Sequence, residues 1–333
     1  MDISTLITRK DLNDFSANYE YPTDWLGTQL FPREKTDDLE FALSQLAQYG
    51  NIPSIAKVHA FDTEARIGSR EKLEQRHFES LLIKEKLATS ERAQYALKNN
   101  DKNKALKIIY DDLNIEMQRV LTRTELENMQ VISTGKLTIN ENNVNTVIEY
   151  GYDNSHDTSF TGWSDPTHNI IGDLNLFVQS ALKQGKRLAY AVTSSKIVGW
   201  LTANKGIIEM LKIQGAIPTV TNVLNYIYAQ FGLQIATNDE LYKIEGGDNT
   251  LHRFFPENKI SFLTTLDFGK GYFAPTPDEL SNVASAADID VRQNVYLKSW
   301  KEEDPSTVWT MGSAVYLPAV KDINGLYIAT VAA

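Results

Sequence analysis

The chain has 333 residues, 42% hydrophobic and 23% charged, with a formal charge of −10. That balance excludes disorder throughout, and the acidic excess argues against a protein that seeks nucleic acid by neutralising phosphates. There is no cysteine, which excludes disulfides, thiolate metal sites and cysteine nucleophiles and suits folding in a reducing cytoplasm.

The opening, MDISTLITRKDLNDF, lacks a basic leader followed by an apolar core, so a secretory signal is not expected. No apolar run reaches about 18 residues, and a transmembrane helix is not expected either. The first fifty residues read as an arm rather than a core. Tyr19 to Phe31 sets large aromatics among Pro22 and Gly27, with Pro32 directly after. Chain of this kind is extended and needs a surface to lie on, either its own domain or another molecule.

Ile55 to Phe61 alternates as a strand, and Ser80 to Leu87 is a second extended run. Between them Arg66, Arg70, Lys72 and Arg76 nearly balance Asp62, Glu64, Glu71 and Glu74. A long polar hairpin has little core of its own and is stable only against something else. It is either a solvated ribbon with a mobile tip or a clasp between molecules. Thr89-Ser90-Glu91 carries the capping pattern of a short helix.

The strongest helical signal runs from Lys102 to Ser133. Ala105, Leu106, Ile109, Leu113, Met117, Val120 and Leu121 share one face, and Ile108, Ile115 and Leu126 form a thinner stripe opposite. A helix apolar on two sides has to be covered twice, and Gly135 is placed to end it. Asn142 to Gly151 reads as a strand, and a polar, turn-rich link follows through Pro166. Beyond it helices and strands alternate, as in a compact α/β lobe: helix from Ile170 to Leu182, strand from Arg187 to Thr193, helix from Lys196 to Lys212. Val220 to Phe231 follows as helix, then Leu233 to Ala236 and Lys259 to Thr264 as strands. Val291 to Trp300, Val308 to Pro318 and Leu326 to Val331 return to strand grammar and are expected to complete the sheet begun near Asn142.

Enzyme signatures are missing: no dinucleotide or P-loop glycine pattern, no nucleophile elbow and no zincin motif occurs. Gly269-Lys270-Gly271 lacks the spacing of a phosphate loop and reads as a turn. His156, Asp157, Asp165 and His168 are the one cluster of metal-ligand types, but they sit in turn-rich chain, and a polar link between domains is the better reading. Asp165 and Pro166 are expected to start the following helix as N-cap and first-turn proline. Asp111-Asp112 and Glu302-Glu303 are adjacent pairs that point apart on a helix and make poor acid/base partners. No catalytic residue, cofactor or metal is expected. The 15 Tyr, 13 Phe and 5 Trp, without an interleaved basic stripe, suit protein contact better than nucleotide stacking.

HAFDTEARIGSRE (His59 to Glu71) followed by ESLLIKEKLATSE (Glu79 to Glu91) resembles the lambda-type major capsid proteins of tailed phages. Trp163 to Thr167 (W-x-D-P-T), the Trp309 to Pro318 run and the closing Ala329 to Val331 are similar to theirs too, in family order. Lys72 to His77 is more polar than in that family. The resemblance implies an α+β fold of the HK97-like (Hong Kong 97-type) capsid class. It divides the chain into an N-arm and the segment leading from it (1–54), an E-loop (55–88), a P-domain with a long spine helix (89–165), an A-domain (166–276) and returning P-domain strands (277–333).

It further implies hexamers and pentamers of the chain in an icosahedral phage head, assembled in the host bacterial cytoplasm. Such a head encloses double-stranded DNA without sequence-specific binding and matures by expansion. The partners implied are copies of the chain, a separate scaffolding protein, a portal and a decoration protein, with no membrane. Inter-subunit contact is expected at Trp25, Phe31, Phe61, Arg66, Arg70 and Arg76. An encapsulin-type shell of the same fold and a soluble metal-dependent enzyme are the alternatives.

Overall fold

A computed structural model describes residues 7–20, 24–46, 73–89, 102–244, 250–281, 294–302 and 307–332. In chain order the first elements are α1 (Arg9–Ala17), α2 (Leu26–Leu30), β1 (Arg33–Lys35), β2 (Glu40–Leu46), β3 (Leu73–Glu79), β4 (Leu81–Thr89) and α3 (Lys102–Thr134). There follow β5 (Lys136–Glu141), β6 (Val144–Glu149), β7 (Asp157–Phe160), α4 (Ile170–Lys183), β8 (Tyr190–Thr193), α5 (Ser195–Ala203), α6 (Lys205–Ile213) and α7 (Val220–Phe231). The rest comprises β9 (Gln234–Thr237), β10 (Leu241–Lys243), β11 (Leu251–Arg253), β12 (Lys259–Leu263), β13 (Gly269–Ala274), α8 (Pro277–Ser281), β14 (Tyr296–Glu302), β15 (Thr307–Val320) and β16 (Leu326–Val331). The chain divides into two units, both discontinuous in sequence.

The first unit is built from Met1–Phe41, Glu79–Asn128 and Gly269–Ala319. Its sheet runs β1-β13-β15-β14, with β4 also paired to β15. The expected helix face is the one that packs: Ile109, Leu113, Met117, Val120 and Leu121 meet Phe273, Leu297, Ala314 and Tyr316. The second stripe is partly covered: Ile108 and Leu126 are half-buried, and Ile115 stays 40% exposed.

Two expectations are corrected in this unit. The Tyr19 to Phe31 stretch, expected to be extended, carries the helical turn Leu26–Leu30, and before it Arg9–Ala17 is helix, because Thr8 and Asp11 close a capping box, and buries Leu12 against the core. Gly269 to Gly271 lies in strand β13 instead of a turn, paired in parallel with β1. The second predicted hairpin strand, Ser80 to Leu87, enters this sheet as β4, antiparallel to β15 from Leu81 to Thr89. Among the described residues the ribbon is instead β2 with β3, and the predicted strand Ile55 to Phe61 and the helix start at Thr89-Ser90-Glu91 lie outside them apart from Thr89.

The second unit holds Ala42–Phe78, Met129–Phe268 and Val320–Ala333. Its five-stranded sheet is ordered β7-β16-β12-β8-β9. None of the three closing strands joins the Asn142 segment: β14 and β15 pair with each other in the first unit's sheet, and β16 lies between β12, antiparallel, and β7, parallel. The Asn142 segment pairs with β5 as a separate two-stranded ribbon. A two-residue Asn-Asn turn joins adjacent strands locally, which is why that pairing wins.

One face of the five-stranded sheet is apolar. Ile260, Phe262, Tyr327 and Ala329 lie in one core with Leu174, Phe177, Ile197, Leu201, Val223 and Ile227 from α4, α5 and α7. The opposite face mixes polar groups with buried Leu263, Leu326 and Ile328. There Ser261 Oγ donates to the Ile132 carbonyl at 2.8 Å and Lys259 Nζ to the Ser133 carbonyl at 2.8 Å, satisfying carbonyls at the end of α3. Gly135 ends that helix at φ +71°, and a Cβ there would overlap the Tyr152 ring.

The expected helix from Lys196 to Lys212 is broken in two. Asn204 sits in extended backbone between α5 and α6, accepts from Ile207 N at 3.2 Å and donates to the His168 carbonyl at 2.7 Å. A short amide that ties down a neighbouring loop while capping a helix outweighs simple continuation.

Candidate inter-subunit surfaces

Of the expected contact residues, Phe61, Arg66 and Arg70 lie outside the described residues, as does the side chain of Arg76 in β3. Trp25 is half-buried at the start of α2 and packs on the core of the first unit. Phe31 is a correction: it is fully buried within the chain itself, its ring covering Gly269, so it has no surface to offer a neighbour. The turn of α2 directs Leu30 and Phe31 inward, which composition alone does not reveal.

The same helix turn is held by a residue that the sequence reading passed over. Glu125 of α3 is buried and accepts from Gly27 N at 2.7 Å, Thr28 N at 2.8 Å and Thr28 Oγ1 at 3.1 Å. Nearby on the helix, Asn128 Oδ1 accepts from the Tyr316 hydroxyl at 2.6 Å. Burial pushes that phenol well up, and the charges of Glu127 and Glu125 add to the effect. A Glu inside a helix gives no sequence signal of burial, since the same letter serves an exposed face.

Two regions, the first of them half-buried, carry the composition of protein contacts. On the first unit, Trp300 and Trp309 are direct cross-strand partners and stack at 6.3 Å, with Lys86 Nζ 4.1 Å from the Trp309 ring centre and Lys298 beside Trp300. On the second unit, α6 and the turn into α7 expose Met210, Ile213, Ile217 and Val220, with Ile213 and Ile217 at 80% and 73%. Four large apolar side chains within eleven positions are thus left in solvent.

The second unit also holds a polar groove of about 840 Å³. Its floor is the mixed face of the sheet, where Lys259, Thr330 and Ser159 share one cross-strand row and Ile328 lies beside Asp157 in the next. Its wall is the foot of the β5–β6 ribbon, Lys136 and Glu149, with Tyr152 and Asn154. The Tyr152 hydroxyl donates to Asp157 Oδ1 at 2.7 Å. Burial, then that hydrogen bond, raises the phenol far above its ordinary value, so it stays protonated. Burial lowers the Lys259 ammonium, partly opposed by Asp157.

The histidine–aspartate cluster does not converge on a metal. His156 is buried, stacked on Tyr327 at 4.0 Å, with Nδ1 3.1 Å from the Leu326 carbonyl. His168 Nε2 instead meets Asp173 Oδ2 at 2.7 Å, which also accepts from Trp163 Nε1 at 2.9 Å. Among the described residues no group of three or more His, Cys, Asp or Glu could hold a metal ion. Asp165 does not cap the helix as expected: it closes a turn by accepting from Thr167 N and Oγ1, both at 2.8 Å, and Asn169 is the N-cap of α4. The W-x-D-P-T stretch is thus a structural knot. No described helix is long and apolar enough to cross a membrane.

Solved structures similar to this chain include those of phage proteins. A prophage protein assigned as a capsid protein, from E. coli CFT073, superposes with a TM-score of 0.62 at 15% identity, over 99% of each chain. A phage-related protein from Bordetella bronchiseptica RB50 gives 0.58 at 11% identity, covering 96% of this chain and 95% of that one. The mature capsid of bacteriophage PhiM1 gives 0.53 at 8% identity, covering 94% and 89%. No curated protein sequence matches the chain. The architecture is the HK97-like capsid fold. The model of the family described as phage major capsid protein E matches residues 9–331, and the chain belongs to that family.

Proposed function

We propose that the chain assembles with copies of itself into hexamers and pentamers of an icosahedral phage head that encloses double-stranded DNA and matures by expansion. The observation that carries this reading is the exposure of Met210, Ile213, Ile217 and Val220 on a lobe that buries a separate apolar core. A shell subunit is surrounded by copies of itself, so its own copies are the ready cover for such side chains. Within this reading residues 1–54 act as the N-arm, 55–88 as the E-loop, 89–165 and 277–333 as the P-domain, and 166–276 as the A-domain around each capsomer axis.

Many individually weak contacts add through multivalency, so assembly is steep in concentration while each contact remains reversible. Expansion requires two packings of one sequence that differ modestly in energy. The role is structural, without catalysis. Assembly takes place in the host cytoplasm with a scaffolding protein, a portal and a decoration protein. Trp25 and the hairpin residues Phe61, Arg66, Arg70 and Arg76 contribute to contacts between copies.

The test is assembly of the full chain with and without Ile213→Asp and Ile217→Asp, read by negative-stain microscopy and sedimentation. Wild type should give capsomers or shells. The double variant should keep its thermal transition, since surface changes stay within about 0.5 kcal/mol, and remain a monomer. A wild type that stays monodisperse under all conditions, or a double variant that assembles as well as wild type, overturns the reading.

A further inference from the structure

The chain has five methionines, four of them among the described residues. Met117, Met129 and Met311 are buried, whereas Met210 is 41% exposed. The helix that carries it explains the difference. Ile207 and Leu211 of α6 enter the core of the second unit, and Met210 lies outside that face, three residues before Ile213. Residues three apart are neighbours on a helix surface, so the thioether stands beside the most exposed of the large apolar side chains.

A methionine sulfur in solvent is open to oxidants, and this chain has no cysteine to be oxidised ahead of it. Peroxide transfers an oxygen atom to the sulfur. The O–O bond breaks, an S–O bond forms, the sulfur loses an electron pair and the peroxide is reduced to water. The product is a sulfoxide, a polar group in place of an apolar one. In the free chain that change is harmless, because an exposed sulfoxide is hydrated and no core contact is lost. Inside a contact with Ile213, Ile217 and Val220 it is costly, because the dipole gives up its water among apolar side chains.

We propose that Met210 is an oxidation-sensitive element of the contact between copies. The thioether lets copies join, the sulfoxide blocks them, and in a finished shell the neighbouring copy shields the sulfur. Oxidant therefore stops new assembly and spares shells already made. The block is reversible, since sulfoxide reductases restore the thioether. Every copy carries one Met210, so a modest loss at each contact is multiplied across the shell. The inference rests on the self-assembly reading and adds to it a modification site and a means of regulation.

The full chain is treated with hydrogen peroxide before assembly, and oxidation at Met210 is followed by peptide mass spectrometry. The oxidised chain should keep its thermal transition and lose shell yield about tenfold, and methionine sulfoxide reductases should restore the yield. In shells assembled first, the same peroxide should oxidise Met210 about tenfold more slowly than in the free chain. Met210→Leu keeps the volume and apolar character without the sulfur, and its yield should be indifferent to peroxide. Three results overturn the inference: full yield from chain oxidised at Met210, equal oxidation rates in free chain and shell, or a loss of yield in Met210→Leu as large as in wild type. If Met210→Leu does not assemble untreated, the two oxidation rates of wild type decide. If untreated wild type forms no shells, the self-assembly reading fails and this inference falls with it; if it forms shells whose yield ignores oxidation at Met210, only the inference fails.

Discussion

Glu125, buried in the long helix, receives the backbone N–H of Gly27 at 2.7 Å, and that single carboxylate fastens the α2 turn to the first unit. The contact is made possible by the missing side chain, since a Cβ on Gly27 would lie 2.6 Å from Glu125 Oε1.

Glu125→Ala should therefore be among the most costly single changes in the first unit. It strands two backbone N–H groups and a hydroxyl and removes a charge-assisted acceptor, at roughly 2–4 kcal/mol. Gly27→Ala should cost about 1–3 kcal/mol through overpacking, and Glu125→Gln less than Glu125→Ala because one acceptor oxygen survives. Urea unfolding of the three variants gives the order directly. Equal midpoints for Glu125→Ala and wild type would show that the carboxylate does not hold this turn.

The Tyr316–Asn128 bond makes a narrower prediction. Both residues are buried and the bond is 2.6 Å, so Tyr316→Phe leaves the Asn128 oxygen without its donor and should cost about 1–2 kcal/mol. Asn128→Ala in the Tyr316→Phe background should add less than it costs alone, since the pair is already broken. Thermal unfolding of the double-mutant cycle measures that coupling.

These two sites mark where sequence reading stops. The spacing of Ile109, Leu113, Met117 and Val120 identified both the long helix and its packed face, because apolar period survives in a one-dimensional string. Val220 to Phe231 and Leu326 to Val331 likewise match α7 and β16. Pairing is different. Nothing in Leu326 to Val331 states that β12 and β7 are its neighbours, since any alternating strand can join any sheet with the right polarity. Buried Glu125 and Asn128 were invisible for a related reason: their partners are backbone groups and a phenol far away in sequence. The exposed apolar residues at the end of α6 and beyond it were hidden because Ile213 and Ile217 look like core residues until their exposure is seen.

Asp278 makes stability depend on acid. Its carboxylate is held below the ordinary value of 3.8, first by the hydrogen bond from Lys84 and against the effect of burial, with the charges of Lys84 and Lys298 helping. A carboxyl depressed in the folded state contributes stability above its unfolded value and loses it as pH falls through the folded one. Asp278→Asn should thus be less stable than wild type at pH 7, and the gap should begin to close below about pH 4 and vanish in stronger acid. Chemical denaturation at several pH values reads this. A gap that is constant down to the acid limit would assign the loss to packing rather than to charge.

The ribbon tip separates local from cooperative folding. Asn143 holds φ 64°, where glycine is at ease and a β-branched residue is strained by about 1–2 kcal/mol. Asn143→Gly completes the Asn-Gly pair most favourable to a type I′ turn and should leave the fold intact. Asn143→Val should distort the tip. Because Asn140 to Val147 are all exposed and no core group is touched, the strain is relieved locally by fraying of the ribbon end rather than by loss of the core. The thermal transition of Asn143→Val should then stay within about 0.5 kcal/mol of wild type. A large drop in its thermal stability would place the ribbon inside the cooperative core.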